Sequence, residues 1–181
     1  MTHTETQLSS TPVFEGKVIS VTRDEVRLEN NDTSWREVVH HHGGAAVIAL
    51  TEDNEIYMVR QYRYAVGQEL LEIPAGKLEK GEDPFEAAKR ELGEEAGLYA
   101  DTYIDLGYII PTCGYCNEKI YVYAAKGLHS TKQHLDADEF LSVFKMKLTE
   151  AVDKVLNGEI TDSKTAFAVM KLSIMIERGK F

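Results

Sequence analysis

The segment RELGEEAG, residues 90–97, sets Glu91, Glu94 and Glu95 within one helical turn. Carboxylates at i, i+3 and i+4 are neighbours on a helix, and each like-charged pair costs roughly 0.2–0.5 kcal/mol. A doubly charged cation relieves that repulsion. Mg2+ takes oxygen ligands and keeps several waters, so a few carboxylates combined with substrate phosphates suit it. Glu82 stands at the entrance of the same helix. Such a set supports attack of water on a phosphate with a metal ion assisting. Taken alone, the spacing also fits an acidic turn on a solvated face.

The helix that presents these acids has both ends written in sequence. Asp83 is placed to N-cap, Pro84 to occupy the first helical position, and Glu86 to complete a capping box. Gly97 is placed for a left-handed stop. Between them Phe85, Ala88, Leu92 and Ala96 form one apolar stripe, with the acids about a third of a turn away. The helix is therefore anchored on one side and acidic on another.

Strands surround it. Residues 16–28 (GKVISVTRDEVRL) and 35–40 (WREVVH) alternate as strands do, with a turn at 30–33. Residues 43–50 (GGAAVIAL) and 56–64 (IYMVRQYRY) read as a buried strand and its hairpin partner, and 70–76 (LLEIPAG) as a short strand entering a Pro/Gly loop. Residues 103–110, 119–127 and 139–148 are further strands; 148–158 and 163–179 are amphipathic helices. Residues 1–12 are polar and read as loose chain. Strands, one helix, more strands and two helices make a mixed-sheet layered α/β fold rather than a doubly wound one.

Composition bounds the partners. The chain has 181 residues, 43 % of them hydrophobic, and a net charge of −10 from 30 acids and 20 bases. A sequence-independent grip on DNA or RNA needs a basic surface, so nucleic acid is not expected. No apolar run approaches the roughly 20 residues of a membrane span, and the first residues lack the basic and apolar regions of a signal peptide. Cys113 and Cys116 are the only cysteines, which points to a reducing, cytoplasmic setting.

The stretch GKLEKGEDPFEAAKRELGEEAGL, Gly76 to Leu98, resembles the Nudix box at every fixed position: Gly76, Glu82, Arg90, Glu91, Leu92, Glu94, Glu95, Gly97 and Leu98. LEIPAGKLEKGE, QYR at 61–63, REVVHHHGGAAVIAL and DADEF at 136–140 resemble the ADP-ribose pyrophosphatase branch of that family. The resemblance implies an α/β/α sandwich with a mixed β-sheet, and a small N-terminal antiparallel β extension exchanged across a homodimer. On it, residues 1–43 are the dimerising extension and 44–181 the hydrolase domain. The implied reaction is Mg2+-dependent hydrolysis of ADP-ribose to AMP and ribose 5-phosphate, with Mn2+ as the alternative metal.

The same resemblance assigns roles. Glu91 and Glu95 are implied metal ligands, Glu94 a further ligand or water holder, and the Ala75 carbonyl another metal-binding oxygen. Glu82 and Arg90 are implied to pair and brace the loop against the helix. Glu139 matches the general base outside the box, with Asp136 and Asp138 as rivals for that role. Arg63 and Arg36 match positions that contact substrate phosphate or terminal ribose; each is otherwise a surface ion pair. Trp35 either stacks on adenine or packs, and Glu72 either meets the nucleotide or faces solvent.

The loop after residue 110 departs from the branch. Where relatives commonly read Ser-Pro-Gly-Phe before an acidic pair, this chain has Thr112-Cys113-Gly114-Tyr115, with Pro111 earlier and Asn117-Glu118 after. Glu118 is the remaining acid of that pair and a candidate substrate contact. This loop helps separate ADP-ribose enzymes from relatives acting on other dinucleotides. Nucleotide sugars, dinucleoside polyphosphates and reduced dinucleotides are thus the alternative substrates, and a non-catalytic nucleotide sensor the alternative class. CGYC has a redox spacing, yet the strand after it gives no helix N-terminus to lower a thiolate pKa. His40-His41-His42 cannot converge on a metal from a strand, because successive side chains face opposite ways.

Overall fold

The computed structural model describes residues 2–135, 137 and 139–181. Asp136 and Asp138, the rival bases, lie outside the described residues. The chain divides into two compact units, Met1–Gly43 with Ile110–Lys119, and Gly44–Ile109 with Ile120–Phe181.

The first unit is an antiparallel sheet of order β1-β2-β3, with β1 at Thr6–Glu15, β2 at Ile19–Arg27 and β3 at Thr33–His41. The expectation of loose chain over 1–12 is corrected: residues 6–15 are a strand. TQLSSTPVFE is exposed at every position, so no buried face announces it. Its order comes from backbone pairing with β2, from Thr6↔Arg27 to Glu15↔Ser20. Residues 110–119 join this unit through Val39, whose N–H donates to the Tyr115 carbonyl (2.7 Å) and whose carbonyl accepts from the Asn117 N–H (3.1 Å).

In the second unit a mixed sheet runs β7-β4-β9-β8, formed by β7 (Ala75–Lys77), β4 (Gly44–Ala49), β9 (Ile120–Ser130) and β8 (Leu98–Ile109). Its β4 and β9 are parallel, and the other pairs antiparallel. An antiparallel sheet runs β10-β5-β6, from β10 (Leu141–Lys147), β5 (Glu55–Arg63) and β6 (Gln68–Glu72). The expected single strand over 70–76 is two strands in two sheets, broken at Ile73-Pro74. Proline has no N–H to continue a ladder.

Among the described residues three helices, α1 (Pro84–Ala96), α2 (Leu148–Leu156) and α3 (Ser163–Glu177), cover the sheets. The central strand β4, GAAVIA, is buried throughout. Its alternation sorts two cores. Ala45, Val47 and Ala49 pack with Ala87, Ala88 and Leu92 of α1. Ala46 and Ile48 pack with Ala151 of α2 and Ala168, Val169 and Leu172 of α3. Helices on both faces of a mixed sheet make the α/β/α sandwich. Each large side chain so buried contributes about 1.5–3 kcal/mol.

Local signals set the ends of α1. The Asp83 carboxylate accepts from the N–H groups of Phe85 (2.9 Å) and Glu86 (3.2 Å), and Gly97 ends the helix at φ 63°. Glu86 pairs with Lys89 at 3.0 Å. Phe85, expected in the apolar stripe, lies at its edge against Tyr103 and Tyr123, and Ala87 takes its place in the core.

Candidate active site

The acids of α1 are not a solvated face. Glu91 is 7 % and Glu95 1 % exposed, while the Glu94 side chain keeps 40 %. Strand β7 lies against the helix at this point. The Ala75 N–H donates to Glu95 Oε2 at 2.9 Å. The Glu91 carboxylate occupies the space a side chain at Gly76 would need: a Cβ there would sit 1.9 Å from Glu91 Oε1. Residue 76 is thus glycine for a close approach, not for a turn.

Arg90 offsets the repulsion among these acids. Its Nε and Nη2 donate to the two oxygens of Glu82 at 2.9 and 3.0 Å, a bidentate pair that ties the loop before α1 to the helix. Its Nη1 donates to Glu91 at 2.7 Å and Glu94 at 2.8 Å. Hydrogen bonding to Arg90 holds the Glu82 carboxyl below its usual range despite partial burial.

Glu91 and Glu95 are harder to ionise. Burial is the main cause of the rise in Glu91 to about 6; Arg90 opposes it, and Glu94 and Glu139 add to it. Burial also drives Glu95 to about 8, opposed by the Ala75 N–H and Arg63 and aided by Glu91 and Glu139. Glu139 thus stands near enough to both buried acids to oppose their ionisation.

A second charged cluster adjoins the first. Glu72, 1 % exposed, receives Nε and Nη2 of Arg63 on its two oxygens, both at 2.7 Å. It also receives Lys164 Nζ, which bonds Asp162 at 3.0 Å. Burial works to raise the Glu72 pKa, but the Arg63 and Lys164 partners outweigh it and hold the group low. Of the two expectations for Glu72, that it faces solvent is corrected: it is buried, and two cations engage it inside the protein. Lys164, Asp162 and Thr165 were not among the sequence candidates. A cation in the first turn of α3 opposes the helix dipole, and that misfit was the available signal.

The other candidates belong to the first unit. Arg36 pairs with Glu5, Nε to Oε2 at 2.9 Å. The Arg23 guanidinium lies 4.3 Å from the Trp35 ring centroid. Glu118 is 3.4 Å from His41 Nδ1, and His40 bonds Thr22 at 3.0 Å. Cys113 and Cys116 are free thiols in a loop closed by Cys116 N–H to Thr112 O at 3.0 Å.

Among the described residues no group of three His, Cys, Asp or Glu side chains stands ready-made around a metal position. Arg90 draws Glu91 and Glu94 to itself, and Glu95 turns to Ala75. The donor set still fits a hard divalent ion. It is all oxygen, and Glu91 and Glu95 are buried acids whose charged forms a cation would stabilise.

Layered fold, acid helix and glycine loop define a hydrolase of the phosphate-handling kind, and known proteins give its family. The NUDIX domain model matches residues 40–167. "Methanol dehydrogenase activator" of Bacillus methanolicus is 43 % identical over 94 % of this chain and 93 % of its own. "ADP-ribose pyrophosphatase" of Bacillus subtilis is 38 % identical over 94 % and 93 %, and that of Mycobacterium tuberculosis 37 % over 86 % and 77 %. A crystal structure of an "ADP compounds hydrolase" shares the fold at a TM-score of 0.83, 21 % identical, covering 98 % of this chain and 97 % of that one. The chain belongs to the NUDIX domain family. Nudix hydrolases generally use a divalent metal ion.

Proposed function

We propose that this protein hydrolyses the diphosphate of ADP-ribose, giving AMP and ribose 5-phosphate. The observation that carries the reading is the pair of buried carboxylates, Glu91 and Glu95, seated against Ala75-Gly76 with Arg63 close enough to act on Glu95. The choice of ADP-ribose is supported by the two relatives that bear that activity in their names.

Glu91, Glu95 and Glu94 with the Ala75 carbonyl would hold Mg2+, or Mn2+ in its place, and the ion would supply Lewis-acid assistance to attack of water on the diphosphate. Arg63 holds the diphosphate, and Glu139 accepts the proton of the attacking water. A new oxygen–phosphorus bond forms as the bridging oxygen leaves with the other phosphate. Glu82 and Arg90 brace the glycine loop. Arg36, Trp35 and Glu118 contribute nucleotide and ribose contacts.

The chain works as a cytoplasmic homodimer in this reading. Leu8, Val13, Phe14 and Val18 are large exposed apolar groups of the first unit, which is small enough to need a partner to bury them. Free thiols at Cys113 and Cys116 suit a reducing compartment.

The test is phosphate release coupled to alkaline phosphatase, run with and without Mg2+. ADP-ribose, a nucleotide sugar, a dinucleoside polyphosphate and a reduced dinucleotide are compared at equal concentration. ADP-ribose turned over fastest supports the proposal; preference for another member transfers the same chemistry to that substrate. A second reading, stimulation of a dehydrogenase, is favoured by the 43 % identity to the activator. Faster alcohol oxidation by a purified methanol dehydrogenase when the chain is added would establish it.

A further inference from the structure

Lys164 occupies a place that helix electrostatics disfavours. It is the second residue of α3, after the N-cap Asp162, where the helix dipole repels cations. It is also nearly buried, at 8 % exposure, which costs a lysine its hydration. Its position is explained by what its ammonium reaches, the Glu72 carboxylate and Asp162.

That carboxylate is the seat of Arg63. Glu72 receives the Nε and Nη2 edge of the guanidinium. Of the five N–H groups a guanidinium carries, the pair engages one on each of those nitrogens and leaves two on the outward Nη1–Nη2 edge for a ligand. Arg63 is 39 % exposed, while its inner edge is held by a buried carboxylate. What keeps Glu72 still is Lys164, together with the adjoining contact in which Thr165 Oγ1 accepts the Ile73 N–H at 3.0 Å. Pro74 follows, then Ala75, whose N–H meets Glu95. The first turn of α3 is therefore joined to the segment from Glu72 to Ala75 that links the arginine seat to the acid-site loop.

We propose that Lys164 is a positioning residue: by fixing Glu72 it presents the outward edge of Arg63 to the substrate diphosphate. This rests on the reading of the site as a diphosphate hydrolase. Lys164 touches neither the substrate nor the reacting atoms. Its removal leaves Arg63 in place chemically but lets its carrier carboxylate turn, so the loss falls on substrate binding.

The test uses the full-length chain with Lys164→Met, which keeps side-chain length without charge, Lys164→Gln, which keeps a donor, and Lys164→Arg, which keeps the charge. Two readouts are taken. The first is kcat and KM for ADP-ribose with Mg2+, or for the panel substrate the wild type turns over fastest. The second is the Arg63 Nε–H resonance in 15N-arginine protein without substrate, which does not depend on what the substrate is. Lys164→Met should raise KM about tenfold with kcat changed less than about twofold, the pattern of lost uniform binding. The Arg63 resonance should broaden and exchange faster with solvent. Lys164→Arg should restore both, and Lys164→Gln should fall between; if the Met variant does not fold, the Gln variant carries the test. Wild-type KM and an unchanged resonance in a folded variant would overturn the proposal. So would a fall in kcat alone, or a loss that tracks melting temperature and that arginine does not restore. A wild type inactive on the whole panel refutes the functional reading instead, and the resonance still decides the role of Lys164.

Discussion

Gly76→Ala is the sharpest perturbation of the acid site, because the structure fixes its consequence numerically. The added Cβ would lie 1.9 Å from Glu91 Oε1, 2.2 Å from Cδ and 2.5 Å from Oε2. Ordinary contact needs about 3.5 Å, so the carboxylate must retreat by more than about 1 Å. Gly76 has no positive φ, so alanine brings no backbone strain there, and the clashing atoms are the end of a flexible side chain. The stability loss should be that of mild overpacking, about 1–3 kcal/mol, which is a fall in Tm of roughly 2–12 °C for a chain this size. Activity should suffer far more. A misplacement of about 1 Å in a catalytic constellation costs on the order of 10²-fold, and Glu91 also leaves Arg90, its partner at 2.7 Å. The assay is Mg2+-dependent phosphate release beside a thermal melt. Because the damage acts through Glu91, adding Glu91→Gln to Gly76→Ala should cost far less than the product of the two single effects. A folded Gly76→Ala enzyme with wild-type kcat would refute the seating of Glu91 as a requirement of the site.

Further outcomes follow from the same geometry. Glu95→Gln keeps an oxygen for the Ala75 N–H but loses the charge, so a circular dichroism melt should stay near wild type while kcat falls by orders of magnitude; near-normal turnover removes Glu95 from the mechanism. Glu139→Gln should lower kcat by about 10²–10⁴ with KM little changed, and a silent substitution moves the base to another group. Mg2+ at about 100 times its Kd should stabilise the folded chain by about 2.7 kcal/mol, an upward Tm shift that Glu91→Gln abolishes; an equal shift in both proteins places the ion elsewhere. Light scattering at micromolar concentration should give a dimer, and a stable, active monomer contradicts the homodimer.

What could be read from sequence was what local chemistry decides. Asp83, Pro84 and Gly97 bounded α1 because caps act within a few residues, and the apolar density of residues 43–50 marked a buried strand. What needed the structure was non-local. Strand β1 has no apolar periodicity, since its ten residues stay exposed and only pairing with β2 orders it. By spacing alone Glu91 and Glu95 fitted a solvated face as well as a metal site, and their burial by β7 and Arg90 was not legible there. Lys164 and Glu72 lie 92 residues apart in the chain, a distance at which no spacing rule operates. Residues 110–119 join the first unit through Val39, a pairing that no composition break foreshadows.

In the proposed function, water cleaves ADP-ribose in a reaction that depends on the acid helix and a divalent ion. Its most direct test is chromatography of the products after purified protein is incubated with ADP-ribose. With Mg2+ the expected products are AMP and ribose 5-phosphate in equal amounts, with neither formed after chelation by EDTA. Intact ADP-ribose in the presence of Mg2+, or equal product yields with and without the metal, would contradict it.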